Sequence, residues 1–106
     1  MSGSTPLPIA CDLGVLSAGQ RAREQALLAE FKGMFRDARE TDRGYTVVVP
    51  DDPLVLSRLG EFFALERLCC PFLAFDLCFP ADHGLITLHI YGQPGSKAFL
   101  RSAFFP

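Results

Sequence analysis

Glu66-Arg67-Leu68-Cys69-Cys70-Pro71-Phe72 closes an apolar run that begins near Leu54 and sets the end of the second helix of the chain. A residue before proline is pushed out of the α region, and proline cannot donate to the helix ladder. A helix that starts at the Asp52 cap and Pro53 should therefore stop at about Cys69. Residues three and four apart share a helix face, so Glu66 lies over Cys69 and Cys70 on the stripe that also carries Leu59, Phe62 and Phe63. A carboxylate on such a face must be paired, hydrogen-bonded, protonated or metal-bound, because an unsatisfied buried charge costs several kcal/mol.

Outward from this stretch the chain alternates between the two common periods. Downstream, Phe75 to Phe79 alternates as a strand, residues 80–84 form a loop of hairpin length, and Leu85 to Tyr91 returns with Ile86, Leu88 and Ile90 on its apolar face. Turn chemistry at Gly92 to Ser96 leads into a last short helix, Lys97 to Phe105. Upstream, Tyr45 to Val49 is β-branched enough for a strand, preceded by a turn at Asp42 to Gly44. A capping box at Ser17 to Gln20 opens a first helix, Ala18 to Glu40, with Leu27, Phe31, Met34, Phe35 and Ala38 at helical spacing and its charges on a solvated face. Ile9 to Leu13 alternates weakly, as a first strand with Cys11 turned to the core. The order β-α-β-α-β-β-α predicts an α+β, two-layer domain, with helices on a small mixed sheet of about four strands.

The 106 residues suit one domain, 1–106, with residues 1–6 as a flexible arm. A hydrophobic fraction of 49% with ten Phe fits a packed core and leaves room for an apolar homodimer face. The formal charge of −2 and the lack of a basic stripe argue against nucleic acid and anionic membranes as partners. Nothing resembles a signal peptide or a membrane span, so a cytoplasmic protein is expected. There, four cysteines point to metal ligands, reactive thiols or small core residues rather than a disulfide framework.

Thiolates are soft ligands that suit Hg, Cu(I) or Zn, and two or three with an inward carboxylate make a compact site. The candidate ligands are Cys69, Cys70, Cys11 and Glu66. Cys78, on the Asp76 face of its strand, and His83 and His89, at a loop tip and on a polar strand face, are weaker candidates. Inert core packing of the cysteines is the competing reading. A helix C-terminus opposes thiolate formation, which a bound cation would reverse; this favours a metal over a cysteine nucleophile. No Gly-rich phosphate loop or Cys-x-x-Cys motif is present, and no nucleotide cofactor is expected.

Ile9-Ala10-Cys11, then Glu66-Arg67-x-Cys69-Cys70-Pro71-Phe72-Leu73-x-Phe75, then Gly92-x-Pro94-Gly95, resembles a group of small bacterial proteins without an established function. Some of them sit near mercury- or other metal-resistance genes. The resemblance implies Cys11, Glu66, Cys69 and Cys70 as the site residues. The expected function is a thiophilic-metal-binding protein for buffering, detoxification or delivery. The alternatives are a thiol-dependent enzyme with a vicinal Cys nucleophile and Glu66 as proton-transfer group, or a non-catalytic homodimeric interaction domain.

Overall fold

A computed structural model describes residues 9–105, so the arm expected at residues 1–6 lies outside the described residues. Three helices and a four-stranded sheet make an α+β fold of two layers. The helices are α1 (Ala18–Lys32), α2 (Pro53–Cys69) and α3 (Ser96–Ala103), and the strands are β1 (Arg36–Glu40), β2 (Gly44–Val49), β3 (Leu73–Cys78) and β4 (Ile86–Gly92). The sheet order is β1-β2-β4-β3, and every neighbouring pair is antiparallel.

Two expectations change at the N-terminal side. Ile9 to Leu13 is not a strand: the segment runs irregularly into a single 3-10 turn, Leu13–Val15, that Asp12 caps through Gly14 N–H. Its backbone finds its partner on a helix end instead, where Asp12 N–H donates to Cys69 C=O at 2.7 Å. The fourth strand comes from residues 36–40, which the apolar spacing assigns to the first helix. Gly33 ends α1 by donating to the Glu30 and Phe31 carbonyls. The turn at Thr41 then folds 36–40 back onto β2, with Thr41 N–H bonded to Gly44 C=O at 2.8 Å. Pairing with β2 outweighs the helical propensity of this stretch. β1 is exposed along its whole length, carries alternating charges and breaks register between Arg36 and Arg39, where Asp37 takes a φ of 51°. Charge and a bulge are the ordinary means of blunting a sheet edge.

The sheet is wholly antiparallel rather than mixed. The α2 crossover does join two strands running the same way, β2 and β3, but β4 lies between them and pairs with both. One face of the sheet, with Tyr45, Val47, Val49, Leu73, Ile86, Leu88 and Ile90, is buried. Thr46, Val48, Thr87, His89 and Tyr91, on the other face, are only half-buried. The facing layer comes from the helices, through Leu27, Phe31, Leu59, Phe62 and Leu100, and from Phe104 just after α3. Phe62 of α2 is its hub, packed edge-on against Phe31 of α1 at 5.4 Å and Phe104 beyond α3 at 6.0 Å. Truncation to Phe62→Ala should lower the unfolding free energy by about 3–5 kcal/mol, read from urea denaturation, with the largest part from the cavity left among these rings.

Candidate metal centre

The C-terminal turn of α2 builds the site. Leu59, Phe62, Glu66 and Cys69 follow the core-facing stripe, and all four are buried. At Cys70 the backbone leaves the helix with φ −127° and ψ 63°, held by a 2.7 Å bond from its N–H to Glu66 C=O. The exit before Pro71 reorients the second thiol, so Cys69 and Cys70 sulfurs lie 3.6 Å apart although a regular helix would set them about 100° apart. Cys11 arrives from the N-terminal segment, half-buried, above this helix end. Asp12 N–H satisfies one of the carbonyls that a helix C-terminus leaves unpaired.

The sulfurs of Cys11, Cys69 and Cys70 and a carboxylate oxygen of Glu66 all lie within 4.8 Å of one another, a group that could hold a metal ion. Two thiolates sharing one ion at about 2.3 Å in tetrahedral geometry sit about 3.8 Å apart, close to the Cys69 to Cys70 spacing. The oxidation state departs from the expectation that the cysteines serve as ligands, reactive thiols or core residues rather than in disulfides. Cys11 and Cys70 are joined as a disulfide across a sequence separation of 59, while Cys69 and Cys78 are free. Spacing alone could not reveal this pair, because the irregular path of residues 9–12 brings their Cα atoms to 4.4 Å.

The electrostatics of the group are acidic and dry. Glu66 is 1% exposed and Glu24 of α1 is 5% exposed. Burial, then the hydrogen bond and charge of Glu24, push Glu66 up to about 8, against a smaller opposing effect of the Cys69 hydrogen bond. Glu66 therefore keeps its proton at neutral pH. Cys69 Sγ donates to Glu66 Oε2 at 3.6 Å. Burial, followed by the charges of Glu66 and Glu24, pushes the Cys69 thiol up to about 12.

Glu24 is the residue that sequence reasoning missed, by placing it with the solvated charges of the first helix. Its spacing carried the signal: Glu24 precedes Leu27 by three and Phe31 by seven residues, on the stripe those two bury. The weaker candidates lie outside the group. Cys78 is exposed at the end of β3. His83 is exposed in the β3–β4 loop, 3.6 Å from Asp51. His89 bonds Thr41 Oγ1 at 2.9 Å on the open sheet face and stacks on Tyr91.

No family model matches the chain, and no curated protein or solved structure matches it. Among the described residues no helix is long and apolar enough to cross a membrane.

Two measurements check this account. The folded chain holds the Glu66 proton up to about pH 8, whereas the unfolded chain releases it near 4.5. The folded state binds the extra proton between those values, so Glu66 makes stability fall as pH rises through that window, by about 1.4 kcal/mol per pH unit, and level off above it. Urea midpoints across the window should show this slope in the parent and lose it in Glu66→Gln. Reducing the Cys11–Cys70 bond, whose closed loop is long, should lower stability by roughly 2–4 kcal/mol, read from the same titration with and without reductant.

Proposed function

We propose that the reduced protein binds one thiophilic metal ion through Cys11, Cys69 and Cys70, with Glu66 as fourth donor or as the hydrogen-bond partner that orients Cys69. The convergence of these four donor atoms within 4.8 Å, from two distant parts of the chain, carries this reading. Buffering, detoxification or delivery of Cu(I), Zn(II) or Hg(II) is the role such a site suits, in the cytoplasm. The resemblance of the Glu66 to Phe72 stretch to bacterial proteins, some encoded near metal-resistance genes, supports it.

The disulfide fits the same reading as its oxidised state. A thiolate is the ligand, and two of the three sulfurs cannot ligate as thiolates while bonded to each other. In a reducing compartment such bonds are ordinarily transient, so binding follows reduction. A nucleophilic role for Cys69 is less well supported: its thiol is buried beside two carboxyl groups and holds its proton at neutral pH.

The test is an anaerobic titration with Cu(I), Zn(II) and Hg(II) in a Cys78→Ser background, which removes the exposed thiol. The reduced protein should take up one equivalent, and both the oxidised protein and a Cys69→Ser/Cys70→Ser variant should lose that binding. Stoichiometric uptake that survives the double substitution would overturn the assignment.

A further inference from the structure

We propose that the reduced site selects a trivalent, three-coordinate soft centre of the arsenite and antimonite class over Zn(II) and Cd(II). The inference rests on the metal-binding reading above and concerns which ion the site takes.

The donor count comes first. Three sulfurs and one carboxyl oxygen make the group, and no histidine among the described residues joins it. The surroundings come second. Cys69 is 0% and Cys70 1% exposed, both within the hydrophobic core, and Cys11 packs against that core. The groups acting on Cys69 are two carboxyl groups, Glu66 from α2 and Glu24 from α1. Among the described residues no cationic group acts on Cys69 to offset a negative complex.

Charge then discriminates among ions. Three thiolates on Cu(I) leave a buried complex of charge −2, and on Zn(II) or Cd(II) one of −1, beside two buried acids. Burying uncompensated charge costs several kcal/mol. As(III) forms a neutral complex with three thiols: As(OH)3 and three thiols give As(SR)3 and three waters. Three As–O bonds break, three As–S bonds form, each thiol proton leaves in a water, and no electron is transferred. The pyramidal product needs its sulfurs on one side only, as the 3.6 Å contact of Cys69 with Cys70 and the adjacency of Cys11 provide. A lone pair occupies the other side, so no fourth ligand is required. Hg(II) with two thiolates is also neutral, but leaves one of the three sulfurs idle.

The site must first be opened. A phosphine with one water reduces the Cys11–Cys70 disulfide to two thiols and leaves as phosphine oxide. Cys11, the more accessible partner, is the sulfur through which this begins.

The experiment uses the full chain with Cys78→Ser, reduced by phosphine and desalted without air. Sodium arsenite is added alone and against equimolar Zn(II) or Cd(II), with native mass spectrometry as the readout. The expected product carries one arsenic in place of three hydrogens and persists in the presence of either divalent ion. Cys11→Ser, Cys69→Ser and Cys70→Ser should each weaken arsenite binding by about tenfold or more, equivalent to about 1.4 kcal/mol. Displacement of arsenic by Zn(II) or Cd(II), or retention of affinity in any single variant, would overturn the selectivity while leaving metal binding intact. Failure to bind any of these ions would remove both readings. The mass measurement on the chain with all three site cysteines remains decisive if a variant does not fold.

Discussion

The join between the N-terminal segment and the end of α2 is the constraint on which the site depends. A helix ending at Cys69, ahead of Pro71, presents carbonyls with no intrahelical partner. Asp12 N–H takes the Cys69 carbonyl and the Cys11–Cys70 bond fixes the same two segments covalently. Each of these links bridges just over half of the chain. They also bring Cys11 against the end of α2, beside the buried Glu66 and Cys69.

Burial of acidic groups then governs the chemistry. Glu66 and Glu24 reach each other from neighbouring helices, and desolvation favours the neutral form of whichever group is most enclosed. The same enclosure keeps Cys69 protonated. A site of this kind is a poor place for a free thiolate nucleophile, and its donor atoms form a group that could hold a metal ion. Outside it, α1 and α2 are tied by pairs at their exposed rim, Arg23 with Glu61 and Arg58 with Glu30. Pairs in such largely solvated positions add little stability.

The sheet contributes a rigid floor. Its strands form two hairpins, β1–β2 and β3–β4, interlocked by the α2 crossover so that β4 sits between β2 and β3. β3 begins at Leu73, three residues past Cys70, and Leu73 N–H bonds the Cys70 carbonyl at 3.1 Å. Cys69 and Cys70 are therefore held between a helix end and a strand start, and Phe72 packs on Phe99 beside the short connection.

The amino-acid sequence by itself determined much of this arrangement, because the decisive signals are local. Asp52-Pro53 and Cys70-Pro71 bracket α2 at the observed ends, Ser17 and Gln20 cap α1, and the alternation around Ile86, Leu88 and Ile90 marks β4. The stripe through Glu66 was enough to single out a buried carboxyl beside a thiol. What only the tertiary structure decided has long-range causes. Residues 36–40 became a strand because β2 offered them a ladder that their own spacing does not encode. Ile9 to Leu13 gave up its strand pattern because its backbone partner is a helix carbonyl 57 positions after Asp12. The union of Cys11 with Cys70, and the meeting of Glu24 with Glu66, required the chain to close over itself. Periodicity along the chain reports which face a residue occupies, but not which residue waits opposite.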